Sequence, residues 1–150
     1  PVGRKTAAGR LLAAERDLTD DQRDEMAAAA FGVLEDERFA AVFGPGSRAE
    51  VSVAGGARGL PAELKIAGRV DRLVVTPDRI LVVDYKTNRP SPDRIEHADP
   101  AYLSQMAVYA AVLAEVFPDR PIEAAIVWTD GPKLMAVPEK VMAAALARLF

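Results

Sequence analysis

There is no cysteine among the 150 residues. This excludes disulfides, thiol nucleophiles, cysteine-bound zinc and any iron–sulfur cluster. A cysteine-free chain fits a reducing compartment, and a cytoplasmic location is expected. Histidine is almost absent too, His97 being the single one, so a multi-histidine metal site is ruled out and a Ser-His-Asp triad is disfavoured. No apolar run approaches the ~18 residues that cross a bilayer, so no membrane association is expected. No basic segment followed by an apolar stretch marks a secretory signal. Gly44-Pro45-Gly46 and Gly55-Gly56 lack the Lys-Ser/Thr that completes a phosphate-binding loop, so ATP hydrolysis is not expected of this chain. Chemistry must rest on carboxylates, lysine, arginine and the backbone. The first residue is Pro1 rather than methionine, and a fragment of a longer protein is expected.

What is present is an ordinary globular composition, half hydrophobic and 27% charged, with a net charge of −3. The length corresponds to one domain. The charge is unevenly spread. Between Ala62 and Ile95 there are seven Lys or Arg against five acids, whereas the rest of the chain carries twelve against seventeen.

The pattern along the chain predicts helix in the first forty-three residues. The Ala- and Leu-rich stretch Arg4 to Arg16 comes first. Thr19-Asp20-Asp21-Gln22 then has the spacing of a capping box and opens a helix to about Leu34. Phe43-Gly44-Pro45-Gly46-Ser47 breaks it, and a core over 48–150 follows. A short strand is expected over Glu50 to Val53. Glu63 to Val75 and Arg79 to Lys86 read as two strands of a hairpin around Thr76-Pro77-Asp78-Arg79. The second is apolar on both faces, as a central strand is. Asp99-Pro100 is an N-cap followed by proline at the first helical position, and that helix should end at Pro118. Ile122 to Thr129 is a strand, Lys133 to Val137 a short one, and Pro138 to Phe150 a helix. The order predicts one mixed α/β (α+β) domain, with a central mixed sheet flanked by helices.

A turn centred between Pro77 and Asp78 pairs residues whose numbers sum to 155. Asp71 then faces Asp84, with Cβ atoms roughly 4.5–5.5 Å apart. Two like charges directly opposite destabilise a sheet, and a divalent cation is one way to hold them. Asp84 and Lys86 are two apart on a strand and leave the same face. Glu50, on a neighbouring strand, is a candidate further carboxylate. Two acids, a hard cation and an ammonium make a plausible device for phosphodiester hydrolysis. The alternative is a set of salt bridges on a sheet face, with Asp84 paired to Lys86 and Asp71 to Arg69 or Arg72.

Gly68-Arg69-Val70-Asp71-Arg72, Val83-Asp84-Tyr85-Lys86-Thr87 and Tyr102-x-x-Gln105-x-x-x-Tyr109, in that order after Glu50, resemble the RecB-like branch of the PD-(D/E)XK nucleases. That family has an upstream acid, a "GxxDR" strand, a "DYKT" strand and a "YxxQxxxY" helix. The segment around Phe43 to Val51, with Val127-Trp128-Thr129-Asp130-Gly131 downstream, looks like the carboxy-terminal nuclease domain of AddA-type helicase–nuclease subunits. The resemblance implies a restriction-endonuclease-like core and Mg²⁺-dependent (or Mn²⁺-dependent) cleavage of DNA. It further implies an exonuclease acting on single strands delivered by a helicase, in double-strand break repair by homologous recombination. ATP would serve only a helicase part outside this chain, and an AddB-type subunit would be the partner.

By the same resemblance Asp71, Asp84 and the backbone carbonyl of Tyr85 match metal ligands, Lys86 the catalytic lysine, and Glu50 the upstream acid. Arg72, Thr87, Tyr102, Gln105 and Tyr109 match positions that bind DNA or support the site. One departure stands out: the family's usual histidine upstream of the first acid is missing, since nothing before Glu50 is histidine. The chain is then either cut short of that helix, or active without it, or a catalytically inactive nuclease fold that binds DNA or docks a partner.

Overall fold

The computed structural model describes residues 3–150. Helices α1 (Arg4–Ala14) and α2 (Asp20–Leu34) form a hairpin. At its bend Thr19 accepts from the Gln22 amide while the Gln22 side chain accepts from the Thr19 amide, the expected reciprocal cap. The Arg23 guanidinium donates to the carbonyls of Leu12 and Glu15 and so closes the end of α1. A 3₁₀ turn, Glu37–Phe39, and the single-turn α3 (Ala40–Phe43) lead into the sheet.

The sheet has five strands in the order of the chain: β1 (Ser47–Gly55), β2 (Ile66–Val75), β3 (Ile80–Lys86), β4 (Ile122–Trp128) and β5 (Lys133–Val137). All neighbours are antiparallel except β3 and β4, which are parallel and joined by α4 (Pro100–Val116). This is the mixed sheet flanked by helices that the element order predicts, with β3 at its centre. Helix α5 (Glu139–Leu149) packs on α4. Asp99 caps α4 by accepting from the Ala101 amide, with Pro100 in its first turn. Among the described residues no helix is long and apolar enough to cross a membrane.

Strand alternation divides the core. Ile80 and Val82 join residues of α4 and α5 in one cluster, whereas Leu81 and Val83 join Val33, Phe39 and Val42 of the N-terminal helices in the other. The next residues follow the same period of two. Asp84 and Lys86 therefore face α4, and Tyr85 faces α3.

Two strands differ from expectation by three residues at one end, the other element ends by no more than two. β1 is longer than Glu50 to Val53, because its polar ends are held by the β2 ladder from Ser47↔Val74 to Gly55↔Ile66 rather than by an apolar face. β2 starts at Ile66, not Glu63, because Pro61 to Leu64 closes a turn through Leu64 N–H donating to Pro61 O at 2.9 Å.

One glycine of the "GxxDR" strand has a steric task. A Cβ at Gly68 would lie 2.5 Å from the hydroxyl and 2.9 Å from the ring of Tyr109, which is buried on α4. The bare backbone lets that ring lie against β2, where its hydroxyl donates to Arg69 O at 3.3 Å. Gly68→Ala must displace the Tyr109 ring from its place against β2, and a loss of about 1–3 kcal/mol is expected from urea unfolding. Tyr109→Phe removes the shortest of these contacts and should recover part of the loss; no recovery in the double variant would refute this packing account.

Candidate active site

The β2–β3 hairpin keeps the register that sums to 155, from Val75↔Ile80 to Arg72↔Val83. Neither central turn residue takes a positive φ. Instead the Thr76 hydroxyl holds the turn, donating to Arg79 O at 2.9 Å and accepting from the Arg79 amide. Because no bulge intervenes, Asp71 and Asp84 arrive beside each other just past the last ladder pair.

Asp84 is the buried charged residue of the core, 5% exposed. Its carboxyl titrates above the ordinary carboxylate range. Burial is the largest cause, Lys86 opposes it, and Asp71 adds to it. Lys86 Nζ lies 2.5 Å from Asp84 Oδ2, so the two form a close, largely buried ion pair. The Lys86 ammonium also donates to Gln105 Oε1 at 3.2 Å and sits 4.2 Å from the centre of the Tyr102 ring. Asp71 accepts from the Tyr85 amide through Oδ2 at 2.7 Å. Asp71, Asp84, Lys86, Gln105 and Tyr102 thus come together at one end of the sheet.

The residues fit a divalent cation. Asp84 is a buried carboxylate, and the second carboxylate, that of Asp71, stands beside it. Hard oxygens of one or two carboxylates, with waters, are the set Mg²⁺ takes. Asp71, Asp84 and the Tyr85 carbonyl would hold it. Among the described residues no group of three or more His, Cys, Asp or Glu side chains forms a fuller cage.

Other expected residues stand elsewhere. Glu50 takes a left-handed backbone, φ 55°, at the point where the β1–β2 ladder skips it and Asp71: Ala49 pairs with Arg72, then Val51 with Val70. Val70 and Leu73 both lie in the α4-side core, so the alternation of faces slips here. The exposed Glu50 carboxylate is turned to Arg69, 3.1 Å away, rather than to the two aspartates. Such a conformation in a non-glycine residue costs about 1–3 kcal/mol. Tyr109 is core against Gly68. Thr87 lines a groove under α2 with Met26 and Arg89. Arg72 points to the α3 side, where it donates to Tyr85 Oη and Ser47 Oγ, both at 2.9 Å. His97 ends the 3₁₀ turn Ile95–His97 and lines a cleft of about 490 Å³ beside Tyr102.

Three further residues support the site, of which Asn88 lies outside the quoted motifs and Trp128 and Thr129 within one of them. Asn88 accepts from Tyr102 Oη at 2.8 Å, the Thr129 amide donates to Lys86 O at 3.0 Å, and Trp128 packs on Tyr102 with ring centres 6.1 Å apart. Asn88 directly follows the "DYKT" strand, and that adjacency is a signal the sequence carries. The other two depend on β4 pairing with β3.

Comparison with known proteins adds three findings. No protein of curated function matches. A solved structure titled "Crystal structure of SSO0001" is similar at 15% identity with a TM-score of 0.44, over 95% of this chain and 70% of that one. The family model of the PD-(D/E)XK nuclease superfamily matches residues 4–147, which is nearly all of the helical hairpin, the sheet and the site just described. The chain belongs to the PD-(D/E)XK nuclease superfamily.

Proposed function

We propose that this chain is a Mg²⁺-dependent deoxyribonuclease domain of the RecB-like branch, the nuclease part of an AddA-type helicase–nuclease. It would cut single strands delivered by the helicase during recombinational repair, with an AddB-type subunit as partner. The observation that carries the reading is the meeting of Asp71, buried Asp84 and Lys86 at one end of the sheet, two carboxylates side by side with an ammonium against one of them. Superfamily membership supports the nuclease reading, and the ordered sequence motifs support the finer parentage.

A bound Mg²⁺ supplies Lewis-acid polarisation of a phosphoryl oxygen and a more acidic water. The protein's own part is distinct. Asp71 and Asp84 supply the oxygen ligands. Lys86, aimed by Gln105 and Tyr102, presents its ammonium to negative charge on the phosphate. The Tyr102 ring gives a flat apolar wall beside that ammonium. A domain handed its substrate needs few phosphate contacts of its own, which accords with the net charge of −3.

The absence of a fuller acidic cage among the described residues, with no histidine before Glu50, favours a second reading: a nuclease fold that binds DNA or docks a partner without cutting. Calorimetry with Mn²⁺ and cleavage of end-labelled single-stranded DNA separate the two. Binding and cleavage that both vanish in Asp84→Ala are expected. DNA binding with no metal uptake and no cleavage by the unaltered protein would establish the second reading.

A further inference from the structure

The backbone ladder between β2 and β3 ends at Arg72↔Val83, one residue short of the two aspartates. Beyond that pair two carboxylates lean against each other, and like charges in that position drive strands apart. Two side chains of β2 nevertheless grip β3 there, one on each face of the sheet. On the α4 face Asp71 Oδ2 accepts from the Tyr85 amide at 2.7 Å. On the α3 face Arg72 Nε donates to the Tyr85 hydroxyl at 2.9 Å. Arg72 is itself fixed. Its Nη1 donates to Ser47 Oγ at 2.9 Å, that hydroxyl donates to Val42 O at 2.6 Å, and the guanidinium lies 4.8 Å from the Phe43 ring centre. The planar fork donates in two directions while one face stacks, which a lysine does not reproduce.

We propose that Arg72 is a positioning residue. Through the Tyr85 side chain it holds the end of β3 against β2 where the ladder stops, and so sets the separation of Asp71 and Asp84 from the opposite face of the sheet. Arg72 then contacts neither DNA nor metal. Anchored to Val42 and Phe43 by way of Ser47 and the ring stack, it couples α3 to the spacing of the metal-binding acids. The part concerning metal rests on the nuclease reading; the part concerning the strand end does not.

Two variants test it, Tyr85→Phe, which deletes one hydroxyl, and Arg72→Met, which deletes the whole grip. Amide hydrogen exchange reads the strand end without metal. The residue-85 amide should exchange about fivefold faster in each variant, as loss of a hydrogen bond worth about 1 kcal/mol implies, while the Val82 and Val83 amides keep their rates. Mn²⁺ affinity by calorimetry should fall about 10–100-fold, the usual effect of losing a group that orients a ligand. The double variant should be little worse than Arg72→Met alone, since both act through one contact. An unchanged residue-85 amide in Tyr85→Phe, or equal acceleration of all strand amides, would overturn the proposal. So would wild-type Mn²⁺ affinity in the folded variants. Absence of Mn²⁺ binding in the unaltered protein would instead count against the nuclease reading, and the exchange experiment would still decide the role of Arg72.

Discussion

Replacing Lys86 by alanine is expected to slow cleavage of single-stranded DNA by about 10²–10³-fold under single-turnover conditions, the usual effect of removing one preorganised charge from a reacting phosphate or oxyanion. The expectation rests on how tightly the ammonium is aimed. It is held by Asp84 at 2.5 Å, by Gln105 at 3.2 Å and by the Tyr102 face at 4.2 Å. Its side chain is only 15% exposed, so water does not replace it readily. Lys86→Arg should rescue little, because a planar fork cannot occupy a compact three-sided position. Gln105→Ala should cost less than Lys86→Ala, since Asp84 and Tyr102 still hold the amine. The alanine variant should fold, because Asp84 without its cation takes up a proton instead of remaining as a buried charge. Cleavage within tenfold of the unaltered protein, with the fold confirmed by circular dichroism, would rule out the assigned role.

Asp84→Asn is expected to uncouple stability from both pH and metal. In the folded metal-free protein the Asp84 carboxyl titrates above its ordinary value of 3.8, chiefly through burial. The folded state therefore holds this proton more tightly than the unfolded chain does. That contribution to stability is fully present below the unfolded value and is lost as pH rises through the folded one. Asparagine has no such proton, so the stability of the unaltered protein relative to the variant should fall as pH rises above about 4. Divalent metal reverses the sign, because it binds the ionised carboxylate and displaces the proton. At 100 times its dissociation constant, Mn²⁺ should stabilise the unaltered protein by about 2.7 kcal/mol and the variant by almost nothing. Thermal unfolding across pH, with and without Mn²⁺, measures both. Equal stabilisation of the two proteins by Mn²⁺ would place the cation elsewhere.

Much of this architecture is legible in the order of the amino acids, for reasons that differ by element. The capping box at Thr19 and the Asp99-Pro100 start of α4 are local hydrogen-bonding patterns within three residues, so neighbours in sequence suffice. The β2–β3 register follows from a two-residue turn and from the period of two, and it holds because Thr76 closes the turn with its own hydroxyl. The ends of β1 and β2 are not legible in this way, because they depend on the partner strand and on the turn at Pro61 rather than on apolar alternation. Glu50 shows the same limit at the site. The family resemblance matches it to an upstream acid, but the left-handed backbone at that residue turns its carboxylate to Arg69.

By itself, the sequence determined which chemistry is possible and along which strand. With no cysteine and one histidine, the chemistry rests on carboxylates, lysine, arginine and the backbone, and alternation along β3 puts Asp84 and Lys86 on one face. Tertiary structure alone decided what surrounds them. Gly68 receives the ring of Tyr109, Lys86 finds Gln105, and Arg72 reaches Tyr85 and Ser47 across the sheet. These contacts join residues 13 to 41 positions apart. Their geometry is set by how α3 and α4 seat on opposite faces of the sheet, which no local pattern encodes.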